Sequence, residues 1–145
     1  MARISDDLRQ QIEVRAYGLC EYCQTAQLIV VTMEVDHIIP QKVGGLTDLD
    51  NLCFVCRGCN SFKQDFQTGF DPEKKIEVRL FNPRIQQWQD HFRWSDDGIT
   101  LIGLTPTGRA TLSRLKMNRD DVLLSRALWV KAGWHPPKPN SFPAT

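Results

Sequence analysis

Residues 34–40, EVDHIIP, lie between two pairs of cysteines that have the spacing Cys-x-x-Cys. The first pair is Cys20 and Cys23, and the second pair is Cys56 and Cys59. Four thiols in this pattern are typical of a structural Zn²⁺ site, in which the protein fills all four coordination positions. The sequence therefore predicts a zinc ion that stabilises this segment and does no chemistry itself. Four unrelated buried cysteines are the alternative.

The composition is that of a globular protein, with 145 residues, 41% hydrophobic residues and 24% charged residues. This length suits one ordinary domain, or a small module with a packed extension. No apolar run approaches the ~20 residues that a membrane-spanning helix needs. The N-terminus does not resemble a signal peptide, so we expect a cytoplasmic protein with no membrane partner. We expect the fifth cysteine, Cys53, to be a small buried hydrophobic residue.

The net charge of +1 is unevenly distributed along the chain. Acidic residues outnumber basic ones in residues 1–70, and the reverse holds in residues 71–145. If the partner is a polyanion, most of the long-range attraction must come from the second half. The alternative is that this second half has an ordinary soluble surface.

The pattern of residues predicts an α+β protein. In the first half we expect a helix capped by Ser5, a strand that ends at Asp36 and His37, and a second strand before the second cysteine pair. In the second half we expect a strand, a helix that opens at Asn82-Pro83, a hairpin and two further helices. The predicted ranges are helix 5–17, strand 28–35, helix 60–67, strand 76–80, helix 82–92, hairpin 92–104, a helix from Thr105, a helix from Asn118 to Gly133, and an extended tail from Pro136.

Asp36 and His37 together carry the groups that phosphodiester hydrolysis requires. A carboxylate can bind a metal ion, and an imidazole can take a proton from water. Adjacent residues of a regular strand point to opposite faces, so the strand must bend or end here for both side chains to reach one phosphate. Taken alone, a histidine beside apolar residues is more often a structural residue.

The motifs taken together resemble the HNH endonucleases over about residues 18–65. The resemblance implies a ββα-metal fold and metal-dependent cleavage of nucleic acid, usually DNA, with a 5′-phosphate and a 3′-hydroxyl as products. It is carried by Cys20-x-x-Cys23, Val35-Asp36-His37-Ile38-Ile39-Pro40, Gly44-Gly45, Asp50-Asn51-Leu52 and Cys56-Arg57-Gly58-Cys59-Asn60-x-x-Lys63.

The resemblance also assigns roles to individual residues. It makes His37 the general base, Asp36 a metal ligand, and Asn51 the residue that pins the loop and orients the base. It makes Asn60 the second metal ligand, where the family often has histidine. Oxygen ligands suit Mg²⁺ or Mn²⁺ better than metals that favour imidazole. Glu34 shares a strand face with Asp36, so it either joins this metal site or is an ordinary surface residue.

Several basic residues are candidates for contact with nucleic acid. Arg57 and Lys63 flank Asn60 and are placed to contact backbone phosphates. In the later helices, the candidate electrostatic footprint consists of Arg109, Arg114, Lys116, Arg119, Arg126 and Lys131. The alternative is that these are solvated surface charges. The four tryptophans are either base-stacking platforms or, as we favour, parts of the core.

We therefore predict an HNH nuclease module in residues 1–70 and a C-terminal mixed α/β extension in residues 71–145 that helps to hold the substrate. The main hypothesis is a divalent-metal-dependent DNA endonuclease. One alternative is a non-catalytic, zinc-dependent module that binds nucleic acid or acts as an adaptor. Another is a nuclease that acts mainly on RNA or single strands. Sequence specificity and oligomeric state do not follow from the residues.

Overall fold

The computed structural model describes residues 4–29 and 31–138. Within these ranges it contains five α-helices and three two-stranded antiparallel sheets, so the predicted α+β class is confirmed. The sheets pair β1 with β2, β3 with β4, and β5 with β6. In chain order the elements are α1 (Asp6–Arg15), β1 (Met33–His37), β2 (Leu52–Cys56), α2 (Arg57–Lys63), β3 (Thr68–Asp71), β4 (Ile76–Arg79), α3 (Trp88–His91), β5 (Phe92–Trp94), β6 (Leu101–Gly103), α4 (Pro106–Arg114) and α5 (Asp120–Lys131).

The N-terminal elements agree only in part with the predicted ones. Ser5 caps α1 as expected, because its hydroxyl accepts a hydrogen bond of 3.1 Å from the backbone N–H of Leu8. The strand predicted over residues 28–35 begins later, at Met33, and Gln27–Ile29 form a short 3₁₀-helix instead. Met33 pairs with Cys56, the last residue of β2. Within the described residues, the pairing of β1 with β2 therefore begins at Met33.

The helix predicted to begin at Asn60 begins earlier, at Arg57. Its N-cap is Cys56, whose Sγ accepts a hydrogen bond from the backbone N–H of Cys59. A thiol therefore caps α2 in place of the amide of Asn60. As a consequence Asn60 lies one turn inside the helix, directly after the second cysteine pair.

Two elements of the second half form as predicted. The β5–β6 hairpin turns at the expected Asp96-Asp97-Gly98 segment. Thr105 caps α4 by accepting a hydrogen bond of 3.0 Å from the backbone N–H of Gly108. The predicted strand over residues 76–80 is β4, and its partner β3 was not predicted.

Two capping predictions for the second half are wrong. Asn82 accepts a hydrogen bond from the backbone N–H of Arg84 and closes a turn, so the helix between β4 and β5 is the short α3, which begins at Trp88. The side chain of Asn118 bonds both the N–H and the C=O of Leu101 instead of capping α5, whose N-cap is Arg119. The predicted tail reaches residues 139–145, which lie outside the described residues.

The extension packs against the segment that carries the cysteines, and both contribute to one buried hydrophobic cluster. The guanidinium of Arg84 forms an ion pair with Glu21. The indole N–H of Trp88 donates a hydrogen bond of 2.7 Å to the backbone oxygen of Tyr22. Trp88 and Trp94 both pack against the cluster, as the interpretation of the tryptophans as core residues predicted. For Trp134 that prediction is wrong, because this residue is 54% exposed. All five residues of β2 are buried and belong to this hydrophobic cluster.

Candidate metal centre and catalytic cleft

The four cysteines of the two Cys-x-x-Cys pairs converge on one point. Their sulfur atoms all lie within 4.8 Å of one another, and all four residues are buried. The Sγ atoms of Cys23 and Cys56 are 3.7 Å apart. Tetrahedral Zn²⁺ with Zn–S bonds of ~2.3 Å requires sulfur atoms roughly 3.8 Å apart. The donor set and its spacing therefore fit a structural zinc ion.

The electrostatics of this cysteine cluster favour a bound cation. Hydrogen bonds from the neighbouring thiols hold the pKa of Cys23 well below its usual value. Burial raises the pKa of Cys20, and hydrogen bonding among the thiols raises that of Cys59. Cys23 is thus favoured as a thiolate, whereas Cys20 and Cys59 resist ionisation, and the charge of a bound cation would offset this resistance. Cys53 stands apart as predicted, since it is fully buried and burial raises its pKa to about 12.

An open cleft of about 710 Å³ runs along β1 and is lined by three of the predicted catalytic residues: Asp36, His37 and Asn60. The strand ends at His37, which allows two consecutive side chains to border the same space. Two cations that also line the cleft, Arg9 and Lys42, were not predicted. The sequence could have indicated Lys42 as a cleft residue, because Lys42 lies in the loop after His37. Nothing in the sequence around Arg9 indicated that its side chain would border the cleft.

Asn51 closes the loop that follows β1. Its amide nitrogen donates to the backbone oxygens of Ile39 at 3.0 Å and Leu46 at 2.8 Å, and its amide oxygen accepts from the N–H of Ile39 at 2.8 Å. A Cβ atom at Gly45 would lie 1.7 Å from the oxygen of Ile39, so this turn requires glycine. These are the contacts expected of a residue that pins the loop.

His37 is held by the same loop. Its Nε2 atom lies 2.8 Å from the hydroxyl of Thr47, and the side chain is half-buried. Thr47 lies between Gly45 and Asn51, within the segment that the amide of Asn51 closes. The orientation of the imidazole therefore depends on Asn51 through Thr47.

Asp36 is paired with a buried lysine. The ammonium of Lys63 donates a hydrogen bond of 2.8 Å to Asp36, and only 3% of the Lys63 side chain is exposed. Burial raises the pKa of Asp36, and the charge of Lys63 opposes that rise. The prediction that Lys63 contacts phosphate from the surface therefore needs correction, because its charge is buried against Asp36.

Asn60 has a carboxylate partner across the cleft wall. Its amide nitrogen donates a hydrogen bond of 2.8 Å to Glu34. The second oxygen of Glu34 lies 3.3 Å from the guanidinium of Arg57, whose side chain is 68% exposed. Glu34 is thus in direct contact with a predicted metal ligand, and Arg57 remains at the surface as predicted.

Two arginines predicted to contact nucleic acid have structural partners instead. Arg126 is fully buried and donates hydrogen bonds to the backbone oxygens of Ile99 and Met117 and to the amide oxygen of Asn118. Arg109 donates two hydrogen bonds, at 2.9 and 3.1 Å, to the buried carboxylate of Asp71. A count of charges cannot separate such arginines from solvated ones, because the difference lies in backbone acceptors that are distant in sequence.

Other cations of the extension gather over α2 and the residues that follow it. The guanidinium of Arg114 lies 3.9 Å from the ring centre of Phe66. Lys116 and Arg119 lie 5.2 and 5.4 Å from the ring centre of Phe62. We call Arg114, Lys116 and Arg119 the basic patch. All three belong to the footprint predicted for the extension.

The family model for HNH endonuclease matches residues 20–66, about a third of the chain. The matched segment contains the cysteine cluster and all the predicted catalytic residues. The resemblance that the motifs suggested is therefore confirmed for this segment. No curated protein and no solved structure matches the chain. None of the helices in the described part of the chain is long and apolar enough to cross a membrane.

Proposed function

We propose that this chain is a divalent-metal-dependent endonuclease that hydrolyses DNA phosphodiester bonds and leaves a 5′-phosphate and a 3′-hydroxyl. The observation that carries the proposal is the open cleft within the segment that matches the HNH endonuclease model. A carboxylate, an imidazole and an amide border this single space, on Asp36, His37 and Asn60. A binding module would have no need of a base beside metal-ligating oxygens.

Asp36 and Asn60 are the residues that would hold the cation. Their side chains offer one carboxylate and one amide oxygen, and oxygen donors suit Mg²⁺ or Mn²⁺. When bound, the cation offsets the negative charge that develops on the leaving 3′ oxygen. The charge of Lys63 favours the ionised form of Asp36 despite its burial, which keeps the carboxylate ready to bind.

His37 is the proposed general base. In the tautomer in which the Nε2–H group donates to the hydroxyl of Thr47, Nδ1 is the ring nitrogen left to accept the proton of the attacking water. General-base catalysis contributes ~10²–10⁴ in rate when the base is held in place. Asn51 serves this function indirectly, since it closes the loop that carries Thr47.

The substrate backbone would be held by surface cations. Arg9 and Lys42 border the cleft, and Arg57 lies on the exposed side of α2. Contacts of this kind position a nucleic acid without reading its sequence. Buried Arg126 and Arg109, which is paired with Asp71, are left out of this set.

The decisive test is cleavage of supercoiled plasmid by zinc-loaded protein with Mg²⁺ or Mn²⁺, with EDTA as the metal control. We expect nicking or linearisation that EDTA abolishes and that His37→Ala lowers by ~10²–10⁴. His91→Gln is the matched histidine control, because His91 packs against Phe81 in the extension, outside the cleft. An intact plasmid with every metal, or full activity in His37→Ala, would refute the proposal. Single-stranded DNA and RNA substrates tested in parallel decide between substrate classes.

A second candidate function is a non-catalytic module that binds nucleic acid. One observation favours it, namely that Asp36 and Asn60 already have hydrogen-bond partners within the chain. This candidate predicts DNA binding that does not require added Mg²⁺ or Mn²⁺, and no cleavage with any metal. Binding of that kind together with an intact plasmid would select it over the enzyme.

A further inference from the structure

The contact between Glu34 and Asn60 has a chemical direction. An ionised carboxylate only accepts hydrogen bonds, whereas an amide group has a donating end and an accepting end. The 2.8 Å contact to Glu34 therefore selects the orientation in which the nitrogen of Asn60 faces the carboxylate. The amide oxygen then lies at the other end of the group. Within the described residues no protein donor bonds that oxygen.

We propose that Glu34 is a positioning residue that fixes the amide of Asn60 so that its oxygen, and not its nitrogen, is offered to the cation. The inference rests on the proposed function, since it assumes that Asn60 is a metal ligand. Without Glu34 the amide can rotate, and in the reversed orientation it would present an N–H group that cannot bind a cation. Asp36 needs no such partner, because both ends of a carboxylate are oxygens.

The backbone explains why Glu34 is the residue in this position. Glu34 and Asp36 are two residues apart on β1, so they share a face of the strand. Asn60 lies on α2, and both Glu34 and Asn60 border the cleft. A hydrogen bond to an ionised group is roughly twice as strong as one between neutral groups. Glu34 is thus able to hold the amide even though the site is only half-buried.

The contacts of Glu34 argue against direct metal binding. One carboxylate oxygen accepts from Asn60, and the other lies 3.3 Å from the guanidinium of Arg57. Each oxygen therefore already has a donor partner. Arg57 is largely exposed, so we assign it only a minor part in holding Glu34.

The first experiment reads the amide directly and requires no catalytic metal. In a ¹H–¹⁵N spectrum of the zinc-loaded protein, the side-chain NH₂ signals of Asn60 are assigned by their loss in Asn60→Ala. Glu34→Gln, which keeps the shape of the side chain and removes its charge, should shift these signals. Asp65→Asn is the matched control, because Asp65 is a carboxylate that borders the same cleft and pairs with Lys42. Unmoved signals in Glu34→Gln would overturn the inference.

The second experiment measures Mn²⁺ affinity of the zinc-loaded protein by calorimetry or by electron paramagnetic resonance. Loss of a residue that orients a metal ligand typically weakens metal binding by ~10–100-fold. We expect Glu34→Gln to weaken Mn²⁺ binding by about tenfold, and by more than Asp65→Asn does. When Asn60 is already replaced by Ala, adding Glu34→Gln should weaken Mn²⁺ binding no more than adding Asp65→Asn does.

The outcomes separate this inference from the proposed function. If Asn60→Ala weakens Mn²⁺ binding but Glu34→Gln does not, only the positioning role of Glu34 falls. If Glu34→Gln weakens binding equally with and without the amide of Asn60, Glu34 acts directly or through its charge, and the inference is again overturned. If Asn60→Ala leaves Mn²⁺ binding unchanged, the proposed ligand role of Asn60 fails and this inference fails with it.

Discussion

The segment 20–66 and the extension 67–138 are stabilised in different ways. In the first, four buried thiols surround one point and two short strands and a helix are arranged around them. In the second, aromatic rings pack against one another and buried polar groups satisfy one another. Arg126 bridges backbone and side-chain oxygens there, and Arg109 binds Asp71.

The difference shows why the catalytic residues lie where they do. A segment of about 40 residues cannot bury enough apolar surface to fold by itself, so an ion that joins its two ends stabilises it. The helix that carries Asn60 begins inside the cysteine cluster. The cluster therefore fixes the position of the proposed catalytic ligand. Within the described residues the extension has no comparable cluster of metal-binding side chains, and it is stabilised by the hydrophobic cluster that it shares with the segment 20–66.

The largest expected effect is that of Cys56→Ser. It removes a thiol ligand of the cysteine cluster, whereas the serine hydroxyl is still able to cap α2, so the effect reports on the metal site. Structural zinc sites contribute ~10–16 kcal/mol of apparent binding free energy, so we expect loss of zinc and unfolding of the segment 20–66. Metal analysis and circular dichroism measure the two effects.

Cys53→Ala is the matched control for this prediction. Cys53 is equally buried but lies outside the cluster, so this variant should keep about one zinc ion per chain. A Cys56→Ser protein that is folded and free of zinc would contradict the prediction. It would also remove the contrast between the two regions.

The next effect is that of Arg126→Met, which tests how the extension is held. The substitution leaves the backbone oxygens of Ile99 and Met117 without their donor in the interior. We expect the free energy of unfolding to fall by about 3 kcal/mol, because each unsatisfied buried group costs ~1–3 kcal/mol.

Denaturant titration measures this free energy. The control is Lys131→Gln on the exposed side of the same helix, which we expect to change stability by less than ~0.5 kcal/mol. Unchanged stability together with weakened DNA binding would instead return Arg126 to the predicted footprint.

The two regions also differ in how far the sequence predicts them. In the segment 20–66 the ligand types and their spacing are tied to one chemistry, so the cysteine cluster and the cleft residues follow from the motifs. The start of α2 does not, because a thiol acts as its cap. In the extension the local caps at Thr105 and the hairpin turn follow from the sequence. The burial of Arg109 and Arg126 does not, because their partners are 8 to 38 residues away in sequence.

A smaller effect is expected from the basic patch, which is the part of the extension we propose to contact nucleic acid. In the double variant Arg114→Gln, Lys116→Gln, two positive charges beside α2 are lost. If each contacts a phosphate, the slope of log affinity against log salt concentration should fall by about 2 in magnitude. Filter binding of the zinc-loaded protein without added Mg²⁺ or Mn²⁺ measures this without cleavage. The control is Lys74→Gln, Lys75→Gln, which removes the same charge from the β3–β4 turn. An equal change in both variants would mean that net charge alone attracts the substrate.

The smallest expected effect is a pH dependence of stability that arises in the extension. His135 is buried beside Trp94, and its Nε2 atom has no hydrogen-bond partner among the described residues. Burial, with a further contribution from the charge of Arg126, lowers the pKa of His135 from 6.5 to about 4. Between these two values the unfolded chain binds a proton that the folded protein does not. The free energy of unfolding should therefore fall as the pH is lowered from about 6.5 to about 4, and this contribution should level off below that range.

His135→Phe tests this dependence, because phenylalanine keeps a ring against Trp94 and cannot take up a proton. Thermal midpoints of both proteins are compared at pH 7.5, 6 and 5 with zinc in excess, so that protonation of the cysteines affects both equally. The wild-type protein should lose more stability than the variant over this range. If the wild-type protein and His135→Phe lose stability equally, the pH dependence comes from the cysteine cluster alone. The two regions would then also differ in their response to acid.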